Sequence, residues 1–523
     1  MKTTTAFSPS PPWGEGRGEG QAAPAFRAIS DLIREHAHAR PTQRALVQAD
    51  RSVTWTQLDA MVDRIAASLQ RDGVKPKSSI AICGHNSLEY VAVFLGGLRA
   101  GVAVAPLPAG ALPGQIATMV SDCGASHFFV DAQVPAFKTK ARRIFMDASS
   151  APSLESWLLP EGAKPKPVTV KPEWPFNIIY SSGTTGTPKG IVQPHGMRWL
   201  HVARAESYGY GPGSTTLIAT SLCSNTTLVC VFPTIARGGC VVLAPPKFDA
   251  ARYLAIAAKE RATHTMLVPV QYQRIMALPS FAQHDLSSFH MKFCTSAPFH
   301  AQLKRDILDR WSGGLVEFYG MTEGGGTCIL EAHNFPDKLH TVGKPVEGHD
   351  IRLIDEDERE VARGEIGEVV GRSGAMMTAY HKQPAKTRDA EWYDGQGNRF
   401  IRTGDVGRFD EEGFLTLMDR RKDMVISGGF NIYPSDLEAV LRQHPFVSDA
   451  AVVGVASQEW GETPVAFVVA NAGAPKEDEL RAWANAQLGK TQRLSAIRYV
   501  DELPRSDIGK VLKRQLRDSW SSA

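Results

Sequence analysis

The chain has 523 residues, 43% of them apolar and 22% charged, which is more than one hydrophobic core fills and too apolar for global disorder. Its 58 basic and 55 acidic side chains leave a net charge of +3, too even a balance to draw a polyanion such as nucleic acid by net attraction. The seven cysteines, Cys83, Cys123, Cys223, Cys230, Cys240, Cys294 and Cys328, form no CxxC pair. That argues against zinc ribbons and redox motifs, and for free thiols in a reducing, cytoplasmic setting.

Residues 1–24, rich in Pro, Gly and Ser, read as a disordered tail with neither an apolar signal core nor an Arg-rich amphipathic pattern. Apolar residues then recur at helical spacing at Phe26, Ile29, Leu32 and Ile33. Thr56, with Asp59 three residues on, reads as the cap of a second helix carrying Leu58, Met61, Ile65 and Leu69. Short apolar runs at 80–83, 102–105 and 128–130, separated by helical stretches, predict a parallel sheet covered on both faces. Runs at 178–180, 216–220, 240–244 and 265–268 predict a second such unit. No window reaches the roughly 20 apolar residues of a membrane-spanning helix, since the best run, 90–98, stops at Arg99.

Beyond Tyr319 the texture changes to short strands at 351–354, 368–371 and 414–418, punctuated by glycines, which predicts a β-rich subdomain over 321–419. The wholly charged run 355–360 reads as a solvated turn without chemistry. From Arg420 a helix at 437–443 and strands at 450–455 and 465–470 predict a small α+β domain over 420–523. The expected fold class is α/β: two doubly wound αβ subdomains and the β-rich one within 25–419, then the small C-terminal domain.

The strongest chemical signal is YSSGTTGTPKG at 180–190, directly after the apolar run 176–179. Gly183 and Gly186 permit unusual φ values. The hydroxyls of Ser181, Ser182, Thr184, Thr185 and Thr187 and the loop's N–H groups can converge on phosphate, with Lys189 adding charge or pinning the loop. It is not a Walker A loop, because Pro188 stands where the second glycine belongs and Gly190 replaces the hydroxyl residue. At 318–323, FYGMTE places an aromatic, a flexible glycine, a hydroxyl and a carboxylate within six residues, a set that suits a nucleotide. Further along stand RTGD at 402–405, DRRKD at 419–423, SGGFNIYP at 427–434 and LPRSDIGK at 503–510.

In this order, from about Phe26 to Arg514, the motifs resemble those of the adenylate-forming enzymes, which include acyl-CoA synthetases, aryl-CoA ligases, nonribosomal peptide adenylation domains and luciferases. The resemblance implies ATP, Mg²⁺ and CoA as reaction partners. It implies that Tyr319, with Gly320 and Met321, stacks on adenine, and that Ser296, Ala297 and Pro298 line the other face of the ring. Thr322 would contact the α-phosphate and Glu323 would hold Mg²⁺; Asp405 would take the ribose hydroxyls, with Arg420 as second contact. Lys422 would be the hinge of a mobile C-terminal domain, and Gly428 and Gly429 would border the pantetheine tunnel. Lys510, the catalytic lysine by this likeness, would reach across the domain interface to the α-phosphate and the substrate carboxylate, with Thr322 and Glu323 completing the catalytic set.

Where many acyl-CoA ligases carry Pro-Leu-Phe-His, this chain has Ser221, Leu222, Cys223 and Ser224, so the usual aromatic and histidine are replaced. Between 214 and 235 there is neither an acidic residue to hold an amino group nor an arginine to hold a second carboxylate, which favours a nonpolar fatty, alicyclic or aromatic acid. His195, Cys223, Asn225 and Val229 are the candidate lining of the acyl pocket. The implied function is ATP-dependent acyl-CoA ligation with release of AMP and pyrophosphate; the alternative is loading of a separate carrier protein. Luciferase-like oxygenation is a further rival, and a decayed nucleotide-binding site is disfavoured by intact Lys510, Glu323 and Asp405. The histidines show no metal-ligand spacing and no GxSxG nucleophile is present. Oligomeric state, a homodimer included, stays open.

Overall fold

The computed structural model describes residues 25–181, 188–420, 423–427, 430–489, 492–506 and 509–521. The loop residues Ser182, Gly183, Thr184, Thr185, Gly186 and Thr187, the hinge candidate Lys422 and the tunnel glycines Gly428 and Gly429 lie outside the described residues.

The first helix, Ile29–Ala39, buries Ile29, Leu32 and Ile33 on one stripe. The second, Trp55–Arg71, is capped by Thr54, whose hydroxyl accepts from the Gln57 N–H while Gln57 accepts from the Thr54 N–H. The expected cap at Thr56 and Asp59 is therefore displaced: Asp59 lies inside the helix, where its carboxylate meets the buried Arg99.

Two sheets dominate. The seven-stranded one runs Ala379–Tyr380, Lys189–Pro194, Pro175–Ser181, Ala103–Leu107, Ser79–Cys83, His127–Val130 and Arg142–Phe145. Ser79–Cys83, Ala103–Leu107 and His127–Val130 are buried along their whole length, as expected for parallel strands covered on both faces. In the nine-stranded sheet the order is Lys344–Pro345, Cys328–Glu331, Gly314–Tyr319, Met291–Cys294, His264–Leu267, Thr215–Ile218, Cys240–Leu243, Arg44–Gln48 and Arg51–Thr54.

The two sheets exchange strands. Arg44–Gln48, early in the chain, pairs parallel with Cys240–Leu243, while Pro175–Ser181 joins the seven-stranded sheet through Val104 and Asn177. The run 178–180 thus belongs to the first unit and not the second, because an apolar run announces a buried strand without naming the edge it pairs with. Phe94, Phe176 and Phe232 interlock where the layers meet, with ring centroids 4.9–5.9 Å apart.

Residues past Tyr319 join the sheets. Cys328–Glu331 and Lys344–Pro345 extend the nine-stranded sheet and Ala379–Tyr380 the seven-stranded one. A separate antiparallel sheet forms from Asp350–Ile354, Gly367–Arg372, Glu391–Tyr393, Arg399–Phe409 and Leu415–Arg420. The charged run 355–360 is its exposed turn, closed by a bridge between Ile354 and Glu360. The C-terminal domain is a fourth sheet of Val425–Ser427, Phe430–Ile432, Val447–Ser457, Gly461–Ala470 and Ala496–Tyr499, with helices Pro434–Leu441, Glu477–Ala486 and Lys513–Ser521. Among the described residues no helix is long and apolar enough to cross a membrane.

Candidate active site

Strands His264–Leu267, Met291–Cys294 and Gly314–Tyr319 run parallel, so their C-terminal ends open together on one edge of the sheet, where ligands of open α/β sheets bind. Tyr319 ends the last of them. Its ring is buried and its hydroxyl donates to Asp405 Oδ2 at 3.0 Å. Burial and the neighbouring Asp405 hold the Tyr319 phenol well above its ordinary pKa, so it acts as a neutral donor. The other carboxylate oxygen of Asp405 accepts from Arg420 Nε at 3.0 Å, a contact set by the antiparallel register that pairs these two residues. The candidate adenine and ribose residues therefore form one hydrogen-bonded unit.

On the facing loop Ser296 adopts a left-handed φ of 83°, and its hydroxyl meets Thr226 Oγ1 in the first turn of helix Asn225–Ala236. Ala297 and Pro298 follow in the loop that enters helix Ala301–Arg310. Gly320 and Met321 continue from Tyr319, with Met321 packing near Ile191, Met377, Tyr380 and Ile401.

At the candidate phosphate and metal residues, Glu323 Oε1 accepts from the Tyr380 hydroxyl at 2.8 Å, and the Glu323 carbonyl accepts from the Met377 N–H at 2.7 Å. The Lys189 ammonium lies 4.8 Å from the centroid of the Tyr380 ring. Ser181 is the last residue of strand Pro175–Ser181 and pairs with Lys189 across the hairpin. The Thr322 carbonyl accepts from Gln193 Nε2 at 2.5 Å. Next to Glu323, Gly324 has a φ of +77°, and a Cβ there would stand 2.0 Å from the Ala375 carbonyl oxygen, so only glycine fits. Among the described residues no three His, Cys, Asp or Glu side chains cluster to hold a metal by themselves. Glu323 alone matches the donor set of magnesium, which is bound through one or two carboxylates with phosphate oxygens and water supplying the rest.

Lys510 arrives from the C-terminal domain on a tight hairpin. The Ser506 N–H donates to the Lys510 carbonyl and the Lys510 N–H to Ser506 Oγ, Arg505 Nη1 donates to the Gly509 carbonyl at 2.6 Å, and Arg505 is anchored by Asp449. Gly509 is buried against the other domain: a Cβ there would touch Val270 at 3.2 Å and Val268 at 3.4 Å, just past strand His264–Leu267. The lysine loop is thus seated at the same strand ends as Tyr319 and Ser296.

This geometry coincides with a family match: the sequence pattern of the AMP-binding enzyme family covers residues 33–381, and that of its C-terminal domain covers 436–510. The chain belongs to the AMP-binding enzyme family. It is 32% identical over 510 residues to an indoleacetate–CoA ligase of Aromatoleum aromaticum, spanning 94% of this chain and 97% of that protein. It is 31% identical over 489 residues to a feruloyl-CoA synthase of an Amycolatopsis species, spanning 92% and 96%. Among solved structures it is similar to the amide bond synthetase McbA of Marinactinospora thermotolerans, with a TM-score of 0.84, 28% identity and coverage of 94% and 99%.

In this AMP-binding enzyme the acyl candidates fall into two groups. Cys223, Asn225 and Val229 are half-buried, the last two one turn apart on the same face of helix Asn225–Ala236. His195 is 4% exposed and packs edge-on against Phe176 at 4.9 Å and Phe26 at 6.4 Å, an aromatic cluster of the core. Burial lowers its pKa to about 4, so the ring is neutral. Tyr380, Gly324, Gln193, Asn177 and Arg198 carried no motif signal. Each gains its place only when strands distant in sequence are paired.

Proposed function

We propose that the chain is an ATP-dependent acyl-CoA ligase acting on a carboxylic acid with a mainly nonpolar body, aromatic, alicyclic or fatty. The relatives whose names specify indoleacetate and ferulate support an aromatic acid, and the absence of charged side chains from 214 to 235 supports a nonpolar one. What supports the reading most directly is the seating of Gly509 on Val268 and Val270, because it brings the loop that carries Lys510 to the strand ends where the candidate nucleotide residues Tyr319 and Ser296 stand.

In the proposed mechanism the acid's oxygen attacks the α-phosphorus of ATP and pyrophosphate leaves past the 181–189 loop. Two anions must meet, and Lys510 lowers that barrier as a preorganised charge. Glu323 would hold Mg²⁺, which when bound offsets phosphate charge. Tyr319 and the loop at Ser296, Ala297 and Pro298 flank adenine, while Asp405 and Arg420 bind the ribose. After adenylation, rotation of the C-terminal domain near Lys422 replaces Lys510 by the Gly428 and Gly429 face, and the CoA thiolate displaces AMP. We place the domain boundary at Arg420 and the protein in the cytoplasm; the seven cysteines all being free thiols is consistent with the latter.

The test is pyrophosphate release with a panel of acids, followed by thioester formation on adding CoA. AMP-forming thioester synthesis without any carrier protein is expected. Adenylate that ignores CoA and transfers to a carrier protein would overturn the choice of acceptor.

A further inference from the structure

Below the acyl side lies a buried polar cluster that the mechanism above does not use. Arg198, 1% exposed, projects from helix His195–Arg204 and donates to three amide oxygens. Asn177 Oδ1 accepts from its Nε and Nη2 at 3.3 Å each, Asn225 Oδ1 accepts from Nη2 at 2.7 Å, and Gln193 Oε1 accepts as well. Asn177 Nδ2 donates to Gln193 Oε1 at 3.0 Å. Gln193 Nε2 in turn reaches Asn225 Oδ1 at 3.4 Å and the Thr322 carbonyl at 2.5 Å.

Among the described residues no carboxylate pairs with this guanidinium, and its Nη1 is buried without a hydrogen-bond partner. A buried cation held by amide oxygens and the face of Phe176, 5.8 Å from the ring centroid, with no carboxylate to offset its charge, is costly to the fold. A guanidinium can only donate, so it dictates how each carboxamide faces it. Asn225 must turn Oδ1 inward, which sends its Nδ2 outward. That nitrogen has no hydrogen-bond partner among the described residues and is not among the sealed polar atoms. The residue itself is half-buried, beside the Thr226 contact to Ser296 and one turn from Val229.

We propose that Arg198 is a positioning residue: it locks the Asn225 carboxamide so that its N–H group enters the acyl cleft as the donor for an oxygen of the acid substrate. The proposal rests on the acyl-CoA ligase reading. The acceptor is either the reacting carboxylate or a second oxygen on the acyl group, and matched acids separate the two.

The experiment measures pyrophosphate release and acyl-CoA formation by the full chain, as wild type, Asn225→Ala, Arg198→Met and the double variant. The acids are cinnamate with 4-methoxycinnamate, and decanoate with 4-oxodecanoate. Asn225→Ala is expected to lower kcat/KM for the acid about ten-fold, the size of one hydrogen bond left unmade, with KM for ATP little changed. An equal loss for both members of a pair identifies the carboxylate; a loss confined to the oxygen-bearing member identifies the second oxygen. Arg198→Met should reproduce the loss and add nothing to Asn225→Ala, since it acts through that residue.

Should Arg198→Met fail to fold, Asn225→Asp carries the test. Its carboxylate pairs with Arg198 and turns an acceptor toward the acid, so kcat/KM should fall below that of Asn225→Ala. A folded Asn225→Ala enzyme with unchanged acid kinetics, or additive losses in the double variant, overturns the proposal. If the wild type releases pyrophosphate with no acid at all, the ligase reading itself falls, a different result from an indifferent Asn225→Ala.

Discussion

The Tyr380 hydroxyl donates to Glu323 Oε1 at 2.8 Å while the ring of the same tyrosine supports the Lys189 ammonium 4.8 Å from its centroid. One side chain thereby couples the carboxylate proposed for magnesium to the lysine proposed for the departing phosphates. Tyr380→Phe keeps the ring and loses the hydroxyl. A hydrogen bond to a charged group contributes about 1.5–3 kcal/mol, so KM for magnesium-ATP should rise roughly ten-fold or more. Tyr380→Leu, which also removes the face under Lys189, should cost more. Initial rates of pyrophosphate release over a magnesium-ATP series check this, and equal kinetics for all three enzymes would separate Tyr380 from the nucleotide.

Asp405 is braced from two sides, by Tyr319 and by Arg420. If both its oxygens are aligned for ribose hydroxyls, Asp405→Ala should raise KM for ATP strongly and abolish discrimination between ATP and its 2′-deoxy form. A site built to hydrogen-bond a hydroxyl rejects the analogue lacking it, and a site without the carboxylate has no such reason. The ratio of kcat/KM for the two nucleotides measures this directly.

Lys510 sits on a hairpin whose Gly509 packs against Val268 and Val270. Lys510→Ala should cripple adenylation while leaving thioester formation from a preformed acyl adenylate far less affected. Stopped-flow or quench measurement of the two half-reactions tests the division, and equal losses would contradict it.

Gly324 cannot carry a side chain at its φ of +77° with the Ala375 oxygen 2.0 Å from the Cβ position. Gly324→Ala should destabilise the fold by about 2 kcal/mol or more, the combined scale of backbone strain and a forced backbone shift. A lowered urea midpoint at unchanged slope is the expected observation.

Acid should weaken the fold through His264, which is fully buried, stacked on Tyr210 at 4.2 Å and bonded to the Tyr208 carbonyl at 2.8 Å. Burial lowers its pKa from 6.5 to about 4. Between those values the unfolded chain binds a proton that the folded one refuses, so stability is complete above pH 6.5 and is lost as pH falls toward 4. At 1.36 kcal/mol per pKa unit, this one group accounts for about 3 to 4 kcal/mol at most. His264→Gln should flatten the change in urea midpoint between pH 7 and pH 5.

Local chemistry made much of this molecule readable in advance. The runs at 80–83, 128–130 and 240–244 are strands because their residues are apolar throughout, and such runs must be buried on both faces wherever they pair. The Tyr319 to Glu323 string and Asp405 stood out through their resemblance to the motifs of the adenylate-forming enzymes, since a string of this kind taken alone reads as an ordinary strand and turn. The cap at Thr54 was missed by two positions because Thr56 and Asp59 offer the same atoms in the same local pattern.

Sequence by itself determined the fold class, the order of the motifs and the chemistry each could perform, since backbone preference and side-chain donor sets are local properties. Only the tertiary structure decided that Pro175–Ser181 pairs with Ala103–Leu107, that Tyr380 meets Glu323, and that Arg198 reaches Asn225. Those contacts span from 27 to more than 70 residues, and nothing in a local pattern specifies which distant edge or side chain will fill a given place. That choice is made when whole sheets pack and every buried polar group must find its partner.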